Sequence, residues 1–408
     1  MKQDNCDVIV IGAGPAGALA SALLNQRGYQ VTVLERSHFP RFSIGESLLP
    51  QSMSFLNEAN MLDAVKDAEF QFKNGAAFSC GERYEAFDFT EKFSEGWGTT
   101  FQVQRDRFDK VLADTAEAQG VTIHYGQTVT DFTYTDEHAT VSVEDESGER
   151  YQLTAKFVLD ASGYGRVLPR LLDLERPTSF PSRTSLFTHV EDRISHPDYD
   201  RNKILITVHP EFQDVWFWLI PFSNGRASVG VVAEQGFLAE RAGDNRDKLQ
   251  QLISESGWMA ELLTDADFDT RIGEITGYAS DVSQMKGDGY ALLGNAGEFL
   301  DPVFSSGVTI AFKSASLAAE VLDKQLQGET PDWQTEFVDP LQRGVKTFKT
   351  FVEAWYDGRL QDVIFTEQDN PPVKRMISSI LAGYAWDSKN PYVKDRSRLT
   401  VLAEICRS

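Results

Sequence analysis

The chain has 408 residues, 41% hydrophobic and 11% aromatic, too long for one small core and suited to two intimately joined domains or one large α/β domain with insertions. Its formal net charge of −22 argues against nucleic acid and anionic membrane surfaces as partners, since phosphates would be repelled. The imbalance is uneven: residues 341–408 hold 11 Lys and Arg against 8 Asp and Glu, which marks this segment as the place for an acidic partner to dock.

Asp7–Ile11 is a β-branched apolar run, Ala16–Gln26 has a helical pattern stopped by Gly28, and Tyr29–Leu34 is a second apolar strand. This βαβ opening predicts a doubly wound sheet. Between its first strand and helix lies Gly12-Ala13-Gly14-Pro15-Ala16-Gly17, a GxGxxG loop. Its first glycine permits the turn, the second admits a pyrophosphate to the backbone, the third packs helix on strand, and the helix N-terminus favours the anion. Glu35, with Arg36 beside it, ends the second strand, where a carboxylate can accept from ribose hydroxyls.

Farther on, Arg107–Ala118 reads as a helix, and Val121–Tyr125, Val129–Tyr134, Ala139–Glu144 and Tyr151–Ala155 as strands of a meander. Phe157–Asp160 is a buried strand ending at Ala161-Ser162-Gly163. Thr184–Val190, Ile204–Val208, Val215–Pro221 and Ala227–Val232 predict a separate antiparallel sheet. One of these strands contains Trp216-Phe217-Trp218-Leu219-Ile220-Pro221, a WxWxIP run whose two indoles share a face. By itself the run suits ordinary sheet core as well as a cofactor wall. Tyr290–Leu293 returns as a buried strand and Val308–Leu326 is a long helix. After the connector Glu329–Trp333 the chain reads as mainly helical, interrupted by Pro371-Pro372 and Pro391.

Gly294-Asn295-Ala296, followed by Phe299-Leu300-Asp301-Pro302-Val303-Phe304-Ser305-Ser306-Gly307 before a helix, resembles the second FAD contact of hydroxybenzoate-hydroxylase-like flavoproteins. There a Gly-Asp pair holds the ribityl chain. Here Asn295 replaces the acid and can still hydrogen-bond a hydroxyl without charge assistance, which implies weaker flavin binding. Arg105, in Val103-Gln104-Arg105-Asp106-Arg107-Phe108-Asp109, matches the VxRxxFD element of that fold and becomes a flavin contact, although locally it also reads as a solvated helix-start arginine.

GxGxxG, WxWxIP and FxxPxxSxG (Phe299, Pro302, Ser305, Gly307) together resemble the flavin-dependent halogenases, over most of the chain from Asp7 to the helix after Gly307. The resemblance implies an α/β fold with an α+β insertion: a Rossmann-like FAD-binding domain (1–70, 100–180 and 270–335), an inserted antiparallel β-sheet substrate domain (71–99 and 181–269) and a C-terminal helical region (336–408). It also implies that reduced FAD and oxygen give a C4a-hydroperoxide, that halide converts this to hypohalous acid, and that a lysine beside the substrate receives the oxidant. The matching residue is Lys73, which locally reads as a surface lysine snorkelling past Phe70 and Phe72.

By the same resemblance, halide sits on the backbone of Ser306 and Gly307, and Trp216, Trp218, Ile220 and Pro221 wall the flavin and tunnel. Gly45-Glu46-Ser47-Leu48-Leu49-Pro50 matches the GESxxP flavin strap of phenol and pyrrole members, several of which act on carrier-tethered substrates. Phe304 stands in the substrate pocket where tryptophan halogenases have glutamate, which points to phenolic or pyrrolic substrates. Gly12, Gly14, Ala16, Gly17, Glu35, Arg36, Glu46, Ser47, Arg105, Asn295, Pro302 and Gly307 make up the expected cofactor set.

No second GxGxxG serves a nicotinamide, so a separate flavin reductase is the expected electron donor. A carrier protein bearing the substrate would dock near the C-terminal region. Cys6, Cys80 and Cys406 lack CxxC spacing, and the six histidines lack metal-ligand spacing, so neither a disulfide framework nor a metal is expected. There is no signal-peptide pattern at the start and no apolar run of spanning length, giving a soluble cytoplasmic protein as the expectation. The competing readings are a halogenase-like monooxygenase or oxidoreductase of aromatic or aryl-polyene pigment synthesis that does not halogenate, and a non-catalytic flavin-binding module.

Overall fold

In the computed structural model, which describes residues 6–135, 137–368 and 370–407, the β-branched strand Val8–Ile11 is wholly buried at the centre of a six-stranded sheet. It pairs in parallel with Val31–Glu35 on one side and Phe157–Asp160 on the other. Tyr290–Leu292 and Thr122–Tyr125 extend the parallel set, and the short strand Lys286–Gly287 adds an antiparallel edge. Helices Pro15–Gln26 and Gly307–Leu326 pack on each other beside this sheet through Ala-rich faces. The glycine loop and the Asp301–Gly307 loop therefore meet at the carboxyl ends of the parallel strands, where an open α/β sheet takes its ligand.

A second sheet has seven strands, in the order Gly273–Thr276, Arg183–Glu191, Arg226–Glu234, Trp216–Pro221, Lys203–Val208, Gly75–Cys80 and Arg83–Asp88. The sequence predicts it as antiparallel, and one pair departs from that: Lys203–Val208 runs parallel to Gly75–Cys80. These two strands come from distant parts of the chain, so no hairpin fixes their direction. Strand Gln71–Lys73 does not join this sheet but pairs with Thr100–Gln102.

Strand Trp216–Pro221 is buried along its whole length because each face meets a different core. Trp216, Trp218 and Ile220 point into the large core shared with the six-stranded sheet. Phe217 and Leu219 point into a smaller core closed by helices Asn245–Ser254 and Trp258–Leu262. The period of two thus sorts the motif into a structural face and a face available to a ligand.

The C-terminal region is helical, and its prolines begin helices where interruptions were expected. Pro371 opens Pro371–Leu381 and Pro391 opens Pro391–Lys394, each preceded by an asparagine whose side chain caps the first turn. Proline is favoured there because the missing N–H would have no helical partner. Among the described residues no helix is long and apolar enough to cross a membrane.

Trp386 lies flat on the helix Asp339–Tyr356 at Gly344, where an added Cβ would come within 2.1 Å of the indole. Its N–H donates to the Pro340 carbonyl at 3.0 Å. Gly344→Ala would ordinarily stabilise a helix by about 1 kcal/mol. Here overpacking costs about 1–3 kcal/mol, so the expected outcome is a net loss of stability, read as a lower urea midpoint at unchanged m-value.

Candidate functional site

The glycine loop is shaped by close approaches. Gly12 has φ +95°, and a Cβ there would lie 2.8 Å from the Ala161 carbonyl oxygen at the end of the neighbouring strand. A Cβ on Gly17 would lie 1.9 Å from the Gly12 carbonyl oxygen, so this glycine packs helix against loop and does not line the cleft beside it. Glu35 ties the loop down, accepting from the Ala13 N–H at 2.8 Å and the Ser37 N–H at 2.9 Å.

A cleft of about 460 Å³ opens above this loop. Of the residues assigned to a cofactor, Gly12, Gly14, Ala16, Glu35, Arg36, Glu46, Ser47, Arg105, Asn295, Pro302 and Gly307 line it, as do Trp216, Trp218 and Ile220 of the proposed wall. Gly17, Lys73, Pro221, Phe304 and Ser306 lie outside its lining.

Arg105 has a second task besides facing the cleft. Its guanidinium forks onto Asp109 at 2.7 and 3.0 Å, and its Nη1 donates to the Ile44 carbonyl at 2.6 Å. Burial works against its charge, but the charge and hydrogen bond of Asp109 outweigh that and hold it protonated. Arg105 is therefore no solvated surface arginine: it supports the strap from below. The strap is fixed elsewhere as well. The Val103 N–H donates to the Glu46 carbonyl at 2.7 Å, and the Glu46 carboxylate meets His189 Nε2 at 2.6 Å. Burial opposes the charged form of His189, yet the Glu46 hydrogen bond and charge together raise its pKa.

Arg41 is a cleft residue that sequence reasoning missed. It stacks on Phe39 at 4.9 Å, Nη1 approaches Asp109 at 3.4 Å, and its buried Nε, 3.7 Å from Glu35, makes no hydrogen bond among the described residues. Its Nη2 lies 3.4 Å from where a Gly14 Cβ would be. An under-satisfied guanidinium beside a glycine loop and a helix N-terminus suits a pyrophosphate, so the residues present fit FAD. The one available signal was a basic residue following the second strand of an acidic chain.

The two indoles are held at their polar edges. Trp218 donates to Ser228 Oγ at 3.0 Å and lies over Gly230, its cross-strand partner, where a Cβ would come within 2.4 Å of the ring. Trp216 donates to the Tyr356 hydroxyl at 3.0 Å. Ser306 is buried and precedes the helix Gly307–Leu326, whose first turn has no side-chain cap. Its leading N–H groups are thus free of a protein acceptor of that kind, at the point where Gly307 faces the cleft. Phe304 turns the other way and packs edge-on against Phe351 and Trp355 of the helix Asp339–Tyr356.

Lys73 is buried, with 1% of its surface exposed, which rules out a snorkelling surface lysine. Nζ donates to Ser47 Oγ at 2.7 Å and to the Leu48 carbonyl at 2.8 Å, and lies 5.6 Å from the centre of the Phe89 ring. No carboxylate lies within ion-pair distance among the described residues, and burial pushes its pKa down to about 7. Since Ser47 lines the cleft, one hydrogen bond separates the lysine from it.

The profile of a family described as FAD binding domain matches residues 5–336. The 1H-pyrrole-2-carbonyl-(peptidyl-carrier protein) chlorinase of Pseudomonas fluorescens is 26% identical over 439 residues, spanning 99% of this chain and 94% of that one. The crystal structure of a flavoprotein/dehydrogenase from Cytophaga hutchinsonii superposes with a TM-score of 0.96 at 44% identity, covering 99% of both chains. The myxobacterial chondrochloren halogenase superposes with a TM-score of 0.78 at 28% identity, covering 98% of this chain and 96% of the other. A glycine-loop cleft that fits FAD, together with these likenesses, identifies the chain as a member of the FAD-binding-domain family and an FAD-dependent oxidoreductase among the flavin-dependent halogenases and halogenase-like enzymes.

Proposed function

We propose that the protein halogenates an electron-rich phenolic or pyrrolic ring with chloride or bromide, using reduced FAD and oxygen. The observation that carries this reading is Lys73: a buried lysine without a counter-ion among the described residues, one hydrogen bond from the cleft through Ser47. Bound in reduced form, FAD would supply the oxidising equivalent from oxygen that turns halide into hypohalous acid. Gly12, Gly14, Arg41, Glu35 and Arg105 hold the cofactor, and Trp216 and Trp218 wall it. The backbone N–H groups at Ser306 and Gly307, at the helix start, hold the halide. With a pKa of about 7, Lys73 exists in both forms near neutrality. The ammonium can hydrogen-bond the oxidant and the amine can take up its halogen.

Two relatives support a ring presented on a carrier. The Pseudomonas fluorescens chlorinase and the brominase from Pseudoalteromonas luteoviolacea are both named for pyrrole-2-carbonyl on a peptidyl-carrier protein. A basic C-terminal segment suits an acidic carrier, and a separate flavin reductase supplies reduced flavin. A second reading, oxidation without halogenation, is favoured by one observation: the chain shares 44% identity with a protein described as a flavoprotein/dehydrogenase and 28% with the chondrochloren halogenase.

Reconstitution with a flavin reductase, halide and a panel of free and carrier-tethered phenols and pyrroles decides between them. Products carrying the chlorine or bromine isotope pattern are expected, with Lys73→Ala lowering their yield by at least about 100-fold while reduced flavin is still reoxidised. A product that has gained only oxygen, or lost hydrogen, overturns the first reading in favour of the second.

The charge of Lys73 also sets a stability trend. Between its folded pKa of about 7 and its ordinary value of 10.5, the unfolded lysine keeps a proton that the folded one has released, so stability rises with pH across that window. Below about 7 both forms are protonated and the cost of burying the charge is fully present. Lys73→Met removes that cost. Its urea midpoint is expected to exceed the wild-type value most below about pH 7, with the gap shrinking as pH rises; a gap independent of pH would contradict the buried charge.

A further inference from the structure

A polar junction joins the proposed flavin wall to the helix Asp339–Tyr356. The Tyr356 hydroxyl, which accepts from the Trp216 indole, donates to Asp301 Oδ2 at 2.8 Å, and Tyr278 donates to the same oxygen at 3.3 Å. Asp301 Oδ1 accepts from the Val303 N–H at 3.0 Å, capping the turn Pro302–Phe304. Arg183 stacks over the Tyr356 ring with Cζ 3.4 Å from its centre. Asp301, Arg183 and Tyr278 are all buried. The halogenation reading uses none of them, yet Trp216, Pro302 and Val303 all line the cleft.

The direction of this chain of hydrogen bonds depends on charge. An ionised carboxylate only accepts, so Tyr356 must give it its single proton and leave its oxygen lone pairs to the Trp216 N–H. A protonated Asp301 can instead donate to the Tyr356 oxygen and compete with the indole for it. The groups facing Asp301 are Arg183 from strand Arg183–Glu191, Tyr356 from the helix Asp339–Tyr356, Tyr278 from the loop before Asp281, and Tyr164, whose phenol feels its charge. Arg183 in turn lies 4.0 Å from Glu234. Burial pushes the Asp301 carboxyl up to about 6, although the Val303 and Tyr356 hydrogen bonds, the Arg183 charge and the Tyr278 hydroxyl all pull it down.

We propose that Asp301 and Tyr356 are a positioning pair through which one buried carboxylate orients the Trp216 indole and the Pro302–Phe304 turn, making the shape of the flavin cleft depend on that carboxylate's charge. This rests on the cleft being the flavin site and is independent of whether the product is halogenated.

The test uses the FAD-loaded full-length protein labelled with 15N at its seven tryptophans, with the Trp216 indole signal identified by its loss in Trp216→Phe. That signal is expected to titrate with a midpoint near the Asp301 value of about 6. In Tyr278→Phe, which removes a donor to the carboxylate, the midpoint should move up by about half a unit. In Asp301→Asn the titration should vanish. In Tyr356→Phe the signal should shift and stop responding to pH. A Trp216 signal that is flat from about pH 5 to about pH 8 in the wild type, a midpoint unmoved in Tyr278→Phe, or a titration that survives in Asp301→Asn would overturn the proposal. Tyr278→Phe keeps the test decisive should the asparagine variant fail to fold.

Discussion

The site turns on a lysine sealed away from water with no acid among the described residues to balance it. A buried charge without a partner is costly, and the structure meets the cost with two hydrogen bonds from Lys73 to the strap, at Ser47 and Leu48, and by letting the pKa fall. Both acceptors belong to one short segment, so that segment has to be held still. Arg105 holds the backbone before it, His189 holds the Glu46 side chain, and the Leu48 N–H donates to the Phe101 carbonyl at 3.1 Å. The isolated bridge between Ser47 and Gln102 ties the strap to the strand that pairs with Lys73's own. Lysine, strap and cleft wall are thus parts of one hydrogen-bonded assembly, and the cleft that fits FAD lies directly across Ser47.

The paired indoles are the complementary constraint. Strand Trp216–Pro221 is buried on both faces, so neither indole can swing away without opening a core. Gly230 makes room for Trp218, while Ser228 and Tyr356 satisfy the two indole N–H groups. The two rings are tilted by 46° to each other and almost fully buried, and a nearly dry wall of this kind keeps water and stray nucleophiles out of a site of oxidant chemistry.

Much of the scaffold was legible because its elements are long enough to show a period. Phe157–Asp160 lies where the sequence puts it, and the helix read as Val308–Leu326 begins one residue earlier, at Gly307. The site was legible mainly through motifs, since local pattern misleads at its centre. Phe72 is 44% exposed while Lys73 is buried, the reverse of what their polarity suggests, and three residues are too few to show alternation. Their partner strand lies far along the chain. Arg41 was missed because it sits in a loop without periodicity, and Tyr356 because its role depends on a helix docking against a distant strand. Where local rules fail, as at Lys73, the failure coincides with the proposed chemistry.

The proposed function puts flavin and halide in one cleft, with Lys73 one hydrogen bond away from it across Ser47. Its most direct test is a crystal structure of the reduced-FAD complex soaked in bromide and measured at the bromine absorption edge. An anomalous peak is expected within hydrogen-bond reach of the Gly307 N–H, with the isoalloxazine ring lying between Trp216 and the Ser47 that accepts from Lys73. Well-ordered flavin with no bromide at that helix start, or a flavin ring away from Ser47, would contradict it.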